Sequence, residues 1–367
     1  MISLLPRQAL PLAASPTLAS TILDARKRPL RDLRLSLTDH CNLRCTYCMP
    51  QEAFGPHHAF LPTDRLLDFE EIAFLVQNLA ALGVRKVKLT GGEPLTRPFV
   101  PRLVRMLREA AAKVEVNLIT NGILLAPLAG QLKEAGLDRM TVSLDTLLPE
   151  RFAAMTGRGR QLDKVLAGIE ESRRAGFRPV KINMVVIRGV NDDEIETMAA
   201  TFRRPDTILR FIEYMDVGTL NGWRRGDVVP AAEILARLQA TAALEPVDRT
   251  YRGETARRYR YCDGSGEIGL IASVSQPFCG DCSRLRLSAD GKLYTCLFAK
   301  HGLDIKSVLR GEDGPQRIPE VLASLWKGRR DQYSVERAVG PASDRDTPAG
   351  DKETPADGKI EMFYIGG

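Results

Sequence analysis

In the first two thirds of this chain, predicted short apolar strands alternate with predicted amphipathic helices. This pattern limits the folds that the chain can adopt. Runs rich in apolar and β-branched residues, typical of buried strands, lie at 33–37, 87–90, 114–120, 140–144, 180–187 and 207–213. Between most of them, apolar residues recur at helical spacing, as at 72–79 and 162–169. Such units predict parallel strands joined by right-handed crossovers.

The number of these units predicts the fold class. Six are too few for an eightfold barrel, so we predict an α/β fold, a partial (β/α)6 TIM-like barrel with a C-terminal extension. Chemistry in such barrels lies at the carboxyl ends of the strands. Asp68 predicts a helix start, Gly83, Gly136 and Gly176 predict helix ends, and a further helix is predicted at 230–238.

Composition divides the 367 residues into four predicted parts. Residues 1–30 predict a poorly ordered tail, with a transit peptide as the alternative, and residues 31–228 predict the partial barrel. Residues 229–338, rich in Gly and Arg with short strands, predict the C-terminal region. Residues 339–367 predict a flexible linker rich in Pro, Asp, Gly and Ala, followed by an apolar tail ending in two glycines.

The charge balance argues against several classes of partner. With 52 basic and 46 acidic residues, net +6, the surface is mixed and holds no basic run interleaved with aromatics, so we expect no nucleic acid. No apolar stretch reaches the ~18–20 residues of a membrane helix, and no secretory signal pattern opens the chain. We therefore expect a cytoplasmic protein with no membrane partner. The modest positive excess suits a site for a small polyanion.

Seven cysteines fall into two tight groups, which favours metal or redox chemistry over a disulfide framework. Cys41, Cys45 and Cys48 have the spacing C-x3-C-x2-C directly after a predicted strand, so three thiolates can hold one face of a [4Fe-4S] cubane. The fourth iron stays open for a small molecule. Zinc would prefer four closed ligands, and three thiols packed as small hydrophobes are the plain alternative.

This loop resembles the signature of the radical S-adenosylmethionine superfamily, which has an aromatic residue before the third cysteine, here Tyr47. The resemblance implies that the open iron chelates S-adenosylmethionine, whose reductive cleavage gives methionine and a 5′-deoxyadenosyl radical. Gly91-Gly92-Glu93-Pro94 resembles the motif that holds the methionine amino group. Ser143 and Met215, at predicted strand ends, resemble further cofactor contacts; taken alone, they are equally an incidental hydroxyl and a core side chain.

Cys279, Cys282 and Cys296 form a second set, spaced C-x2-C-x13-C. A lone C-x2-C is compatible with zinc or redox chemistry, but two incomplete sets in one chain favour a second [4Fe-4S] cluster in the C-terminal extension. Cys262, seventeen positions before Cys279, is interpreted as an ordinary cysteine rather than a fourth ligand.

Arg284 and Arg286 alternate along the next predicted strand, so both guanidinium groups share one face beside the second set. Such forked cations suit a phosphate or a purine edge, whereas a solvated strand face is the plain alternative. With residues 33–39 and the Gly366-Gly367 terminus, this combination closely resembles the GTP 3′,8-cyclase family of molybdenum cofactor biosynthesis, from residue 34 onward.

The resemblance implies an activity and its residues. The adenosyl radical abstracts H3′ of GTP, and the C3′ radical adds to guanine C8, giving 3′,8-cyclo-7,8-dihydro-GTP after reduction. The second cluster binds guanine through an open iron, basic residues hold the triphosphate, and the tail enters the site, so the catalytic candidates are Arg284, Arg286, Gly366 and Gly367. The substrate-binding candidates, expected to converge at the strand ends, are Arg34, Lys86, Lys88, Thr120, Lys181, Arg210, Arg284 and Arg286. No G-x4-G-K-[ST] loop occurs.

Two positions depart from the family pattern: Lys88 stands where Arg is usual, and Ile119 where Thr is usual. Lys keeps the positive charge of Arg but loses the bidentate geometry of the guanidinium group. Ile has neither the hydrogen-bond donor nor the acceptor of the Thr hydroxyl. The resemblance also implies a reducing electron donor and a downstream cyclic pyranopterin synthase partner, and suggests a homodimer. Two alternatives stay open: a divergent radical S-adenosylmethionine paralogue acting on another substrate, and a non-catalytic iron–sulfur electron carrier, against which Tyr47 and residues 91–94 argue.

Overall fold

The structure, a computed structural model, describes residues 21–159, 161–218, 220–339 and 360–366. The first twenty residues of the predicted tail and residues 340–359 of the predicted linker lie outside the described residues.

Six parallel strands form the centre of the described fold, and their ends lie within one residue of the predicted positions. They are β1 (Asp32–Ser36), β2 (Lys86–Thr90), β3 (Glu115–Thr120), β4 (Arg139–Ser143), β5 (Val180–Val186) and β6 (Thr207–Glu213). The helices between them are α1 (Phe69–Ala81), α2 (Val100–Ala110), α3 (Ala129–Glu134), α4 (Pro149–Thr156), α5 (Leu162–Arg174) and α6 (Ile195–Thr201). The predicted partial (β/α)6 barrel is confirmed.

Local chemistry fixes several helix ends where the sequence predicts them. Asp68 caps α1, because its Oδ1 accepts from the Glu71 N–H at 2.7 Å while Glu71 Oε2 accepts from the Asp68 N–H at 2.9 Å. Gly83, Gly136 and Gly176 follow α1, α3 and α5 with φ of 121°, 93° and 86°, a region in which a Cβ would be strained. These capping residues set where each helix gives way to the next strand.

The chain after β6 extends the same sheet at both edges. Its elements are α7 (Ala231–Gln239), β7 (Leu244–Val247), β8 (Arg257–Tyr261), β9 (Glu267–Ile271), β10 (Arg284–Leu287), β11 (Lys292–Tyr294), β12 (Leu303–Asp304), α8 (Ile305–Leu309), α9 (Gly314–Lys327) and α10 (Tyr333–Val339). Strand β9 pairs in parallel with β6, and β10 pairs in parallel with β1. Within the described residues, twelve strands thus follow the order β12-β11-β10-β1-β2-β3-β4-β5-β6-β9-β8-β7.

Alternation along the strands separates an apolar outer face from a polar inner face. In β1, Leu33 and Leu35 are fully buried in the main core, whereas Arg34 faces a cavity on the other side.

Residues 21–30 are predicted to belong to a tail, but in the structure they pack on the barrel. Leu30 is fully buried, and its N–H donates to the Ile22 carbonyl at 3.0 Å. Among the described residues, no helix has the length and apolarity to cross a membrane.

Candidate active site

The inner face of the sheet borders a cavity with about 1380 Å³ of empty space, part of it open to solvent. The predicted site residues in its wall are Tyr47, Ser143, Met215, Arg34, Lys88, Arg210, Arg284, Arg286, Cys279, Cys282 and Cys296. The described candidates that do not border it are Cys41, Cys45, Cys48, Gly91, Gly92, Glu93, Lys86, Thr120, Lys181 and Gly366. The structure therefore brings about half of the described candidates to one space, without the three cysteines of the first set.

The first cysteine loop follows β1 and is ordered by its own backbone. The Cys48 N–H donates to the Cys45 carbonyl at 3.0 Å, and the Leu43 N–H donates to Cys41 Sγ at 3.5 Å. Burial, and then the neighbouring charge of Glu93, raises the pKa of Cys41 to about 11. The pKa values of Cys45 and Cys48 are also raised, first by burial and then by the neighbouring cysteine thiols.

These three half-buried cysteines have raised pKa values, so they suit a ligand that supplies positive charge to all three thiolates, as a cluster does. Among the described residues, no three His, Cys, Asp or Glu side chains are grouped tightly enough to hold a single metal ion. A cubane makes a different demand, because each of its three thiolates binds a separate iron. The position of three cysteines within eight residues of one loop agrees with that demand.

The two glycines after β2 permit a close backbone approach, but to the chain itself. A Cβ on Gly91, whose φ is 136°, would lie 2.3 Å from the Thr38 carbonyl oxygen, and one on Gly92 would lie 2.3 Å from that of His40. The Gly92 N–H donates to the Thr38 carbonyl at 2.8 Å. Because these glycines have no Cβ, the turn after β2 packs closely against the segment that leads into Cys41.

Glu93 is buried and saturated by donors of the protein. Its Oε1 accepts from Thr120 Oγ1 at 2.7 Å and from the Leu95 N–H at 3.0 Å, and its Oε2 accepts from the Asn121 N–H at 2.7 Å. Burial raises the pKa of Glu93 to about 7, although these donors oppose the shift. Thr120, a predicted substrate residue, is thus directed to Glu93, and its neighbour Ile119 borders the cavity instead.

Asp145 is a site residue that the sequence analysis missed. Its Oδ2 accepts from the Tyr47 hydroxyl at 2.6 Å and its Oδ1 from the Val185 N–H at 2.8 Å, so it fixes the aromatic ring of the cysteine loop at the cavity wall. Burial raises the pKa of Asp145 to about 6. The signal was its place two residues beyond Ser143, just past the end of β4.

The second cysteine set borders the same cavity in electropositive surroundings. Cys279 and Cys282 flank a short turn closed by a hydrogen bond from the Cys282 N–H to the Cys279 carbonyl at 3.2 Å, and the Phe298 N–H donates to Cys296 Sγ at 3.5 Å. Burial by itself would raise the pKa of Cys282, but the guanidinium groups of Arg284 and Arg329 outweigh it and hold the pKa at about 6. Such a thiol is a ready metal ligand.

Cys262 lies apart from this set. It is exposed at the end of β8, its N–H donates to the Ala243 carbonyl at 3.0 Å, and its side chain does not border the cavity. The interpretation of Cys262 as an ordinary cysteine agrees with this position.

Cations from neighbouring strands gather on the cavity wall. Arg34 is in register with Arg286 on one side and Lys88 on the other. Burial, followed by repulsion from Arg284 and Arg210, lowers the pKa of Arg34 to about 10. Burial and the nearby Arg34 and Arg210 also lower the pKa of Lys88. These buried cations lie close together and repel one another. The cavity wall therefore suits the binding of a polyanion.

Two predicted substrate cations lie at the opposite end of the strands. Lys86 begins β2, donates to the Tyr251 hydroxyl at 3.2 Å and lies 3.7 Å from Glu115. Lys181 is the second residue of β5. Arg284 likewise begins its strand, and Arg34, Lys88 and Arg210 lie mid-strand. The prediction that the basic candidates converge at the C-terminal strand ends is therefore wrong. Lys86 and Lys181 differ from the other basic candidates in that they do not border the cavity. Their binding role stays a prediction.

The C-terminal tail reaches the inner face of the sheet. Arg286 Nη1 donates to the Gly366 carbonyl, and Gly366 has a φ of 73°. A Cβ on Gly366 would lie 2.7 Å from Thr90 Cγ2. Phe363, earlier in the tail, is buried. Gly367, a predicted catalytic residue, lies outside the described residues.

Comparison with known proteins first defines the class. The family model described as "Radical SAM superfamily" matches residues 35–202, and the one described as "Molybdenum Cofactor Synthesis C" matches residues 207–335. The fold and the cysteine loop are thus those of a radical S-adenosylmethionine protein, a class that implies a [4Fe-4S] cluster and S-adenosylmethionine.

Curated relatives then give the family. A GTP 3′,8-cyclase of Acidothermus cellulolyticus is 49% identical over 94% of this chain and 99% of the relative, and one of Xanthomonas campestris pv. campestris (strain 8004) is 46% identical over 95% and 98%. The structure of Streptococcus suis SuiB bound to S-adenosylmethionine aligns with a TM-score of 0.44 at 18% identity, covering 58% of this chain and 47% of that chain. On its relatives, the chain belongs to the GTP 3′,8-cyclase family, as the sequence predicts.

Proposed function

We propose that this protein converts GTP to 3′,8-cyclo-7,8-dihydro-GTP in molybdenum cofactor biosynthesis. The observation that carries the proposal is that a single cavity wall combines the candidate S-adenosylmethionine contacts with the second cysteine set and its arginines: Tyr47, Ser143, Met215, Cys279, Cys282, Cys296, Arg284 and Arg286. A cyclisation that joins ribose to base needs both ends of one nucleotide held in such a space.

Cys41, Cys45 and Cys48 are the proposed ligands of the first [4Fe-4S] cluster, beside which S-adenosylmethionine binds. Together, when bound and reduced, they supply the 5′-deoxyadenosyl radical that removes H3′ from GTP. Tyr47 orients the cofactor from the cavity wall, because Asp145 holds its hydroxyl at 2.6 Å. Glu93 acts in part through the fold, since its carboxylate joins the turn after β2 to the end of β3.

Cys279, Cys282 and Cys296 are the residues that would hold a second [4Fe-4S] cluster, which would supply an iron site for the guanine ring. Arg284, on the strand that follows Cys282, supports the thiolates with its charge. Its Nε, buried and without a hydrogen-bond partner among the described residues, leaves one donor for a ligand.

The triphosphate is proposed to lie against the cations of the inner sheet face, Arg34, Lys88 and Arg210. Their buried positive charge is costly until an anion neutralises it, so binding energy is gained where the phosphates lie. Arg286 closes the site by holding the Gly366 carbonyl of the tail. A cavity closed in this way limits the access of water to a radical.

The proposed reaction sets three requirements outside the chain. It consumes electrons, so a reducing electron donor is proposed, and its cyclic nucleotide product must pass to a downstream partner, proposed to be a cyclic pyranopterin synthase. We also propose a homodimer and a cytoplasmic location.

The test is anaerobic reconstitution of the full chain with iron and sulfide, then incubation with dithionite, S-adenosylmethionine and GTP, read by mass spectrometry. We expect about eight irons per chain from two cubanes, together with 5′-deoxyadenosine and a GTP isomer in equal amounts. Cys279→Ser combined with Cys282→Ser serves as a matched variant, expected to halve the iron and stop GTP conversion. Formation of 5′-deoxyadenosine with GTP left unchanged would overturn the substrate assignment.

A further inference from the structure

Two buried arginines in the cavity wall, Arg28 and Arg329, are not among the site residues predicted from the sequence. Arg28 lies in the segment before β1 and is 0% exposed; Arg329 follows α9 and is 4% exposed. Burying a guanidinium is costly unless its charge and donors are used, so two such side chains at one place need an explanation.

Arg28 is anchored in its own segment and holds the turn that carries Cys279. Its Nε donates to Asp24 Oδ2 at 2.6 Å, and Asp24 Oδ1 accepts from the Arg28 N–H at 2.8 Å. Arg28 Nη1 donates to the Cys279 carbonyl at 3.0 Å and to the Asp331 carbonyl at 2.8 Å. The planar guanidinium group of Arg28 therefore links the Cys279–Cys282 turn to the segment before β1 and to the segment after α9.

Arg329 holds the other end of the same turn. Its Nη1 donates to the Cys282 carbonyl at 2.6 Å, and its Nη2 lies 3.1 Å from Asp331 Oδ1. The guanidinium lies 4.7 Å from the ring centre of Trp326, whose Nε1 donates to the Arg28 carbonyl at 3.2 Å. The two arginines thus form one buried unit.

The arrangement places cations, rather than the carboxylates, against the backbone of the cysteine turn. Asp24 and Asp331 bind the guanidinium groups, and the guanidinium groups bind the carbonyls of Cys279 and Cys282. Three thiolates on a cluster bring negative charge that grows by one on reduction. Fixed positive charge beside them favours the reduced form, because the charge around a cluster sets its potential.

We propose that Arg28 and Arg329 are positioning residues of the second cysteine site, which fix the Cys279–Cys282 turn and raise the reduction potential of the cluster bound there. The inference rests on the second cluster proposed above. It assigns a role to residues from two distant parts of the chain, the segment before β1 and the one after α9, so the second site assembles only when both are in place.

The test uses the full chain with Cys41, Cys45 and Cys48 changed to Ala, so that only the second cluster is reconstituted. Arg28→Met and Arg329→Met are compared with Arg26→Met, an exposed arginine of the same segment whose Nε donates to the Arg330 carbonyl at 2.7 Å. Potential is read by electron paramagnetic resonance during a redox titration. Iron retention is read against a chelator.

We expect both methionine variants to titrate at a more negative potential and to lose iron at least twofold faster, with Arg26→Met unchanged. Arg28→Lys and Arg329→Lys keep the charge but not the fork, so we expect a potential near that of the parent with faster iron loss. If the methionine variants fail to fold, the lysine variants decide, and parent-like iron retention in both overturns the proposal.

Two outcomes separate this inference from the function it rests on. A parent protein that binds iron normally, with methionine variants of unchanged potential, overturns the role of the arginines alone. A parent protein that binds no iron overturns the second cluster, and this inference with it.

Discussion

Lys181 is a cation that the barrel holds in an unfavourable state. Burial, then repulsion by Arg210, Arg139 and Lys86, lowers its pKa from 10.5 to about 7, against the opposing charge of Glu115. Between pH 7 and 10.5, the unfolded chain binds a proton at this side chain that the folded chain does not. The contribution of Lys181 to the free energy of unfolding therefore rises with pH between pH 7 and 10.5. Below pH 7, the full cost of burying the charged Lys181 side chain is present.

A bound polyanion reverses this shift, which gives a prediction for GTP binding. Negative charge near Lys181 raises its pKa, so we expect binding at pH 8 to take up a fraction of a proton from the buffer. Titration calorimetry in buffers of different ionisation enthalpy measures that uptake. Lys88 borders the cavity and its pKa is also lowered by burial, so it shares in this uptake. Lys88→Met combined with Lys181→Met is expected to abolish most of the uptake, and Lys113→Met, at an exposed lysine, is expected to leave it unchanged. Binding without proton uptake by the unaltered protein would contradict the prediction.

Gly366 gives a second prediction at the scale of one residue. With a φ of 73° and Thr90 Cγ2 2.7 Å from the position of a Cβ, alanine there meets both backbone strain and a clash. Left-handed backbone alone costs about 1–2 kcal/mol in a residue with a Cβ. We expect Gly366→Ala to release the tail from Arg286 and to lower GTP conversion at least tenfold, while cleavage of S-adenosylmethionine continues.

The measurement compares the rates of 5′-deoxyadenosine and product formation in one assay. Gly189→Ala is the matched control, since Gly189 has a φ of 72° and open space around it. Product formed at the unaltered rate by Gly366→Ala would show that docking of the tail is unnecessary.

At the scale of elements, the sequence predicts what depends on local pattern. Strands β1 to β6 and the cap of α1 follow from apolar runs and from Asp68 with Glu71, all close in sequence. The shared face of Arg284 and Arg286 follows from strand alternation. The spacing of the cysteines predicts the two sets, and the family resemblance adds the role of the tail.

What the sequence does not predict depends on contacts between distant residues. The pairing of β10 with β1 joins Arg286 to Arg34, and neither short strand specifies its partner. Arg28 carries no motif, and its contact with Cys279 spans 251 positions. The resemblance predicts a substrate contact for Thr120, and it does not predict the hydrogen bond from its hydroxyl to Glu93.

Glu213 links three elements through one buried carboxylate. At the end of β6, its Oε1 accepts from the Ala231 N–H that begins α7 at 2.7 Å, and its Oε2 accepts from the N–H groups of Val274 and Ser275 at 2.7 and 2.8 Å. The last two lie in the connection from β9 to the second cysteine set. The carboxylate thus positions that connection relative to the barrel.

Glu213→Gln is predicted to loosen the connection. The amide NH2 of Gln would face backbone N–H groups that now donate to the carboxylate, so a donor would be left without an acceptor. Each buried donor left unsatisfied costs about 1–3 kcal/mol of stability. We expect a lower thermal midpoint and a loss of iron from the second site, with cleavage of S-adenosylmethionine largely kept. Iron analysis and thermal unfolding measure this, with Glu233→Gln, an exposed partner of Arg188, as control. Equal loss of iron from both sites would point to general unfolding instead.

At the scale of the whole molecule, the C-terminal region completes the barrel sheet on both sides. Strand β10 covers the edge of β1, and β9 covers the edge of β6. Both covered strands are rich in buried apolar residues, so their uncovered edges would be templates for aggregation. The same two additions bring the second cysteine set and its arginines to the cavity, so edge protection and site assembly depend on one set of strands.

This dependence predicts that residues 21–228 do not fold as a separate unit, although the sequence places a domain boundary at their end. Expressed alone, this fragment keeps β1 to β6 but exposes both edges, and we expect aggregation without a cooperative thermal transition. Residues 21–339 are the control, since they keep every strand described and lose the tail; we expect a soluble protein with a cooperative transition. Solubility, size-exclusion chromatography and calorimetry distinguish the two fragments. A soluble 21–228 fragment that unfolds cooperatively would mean that the barrel is stable without its edge strands, and that the second site was added to a domain already complete.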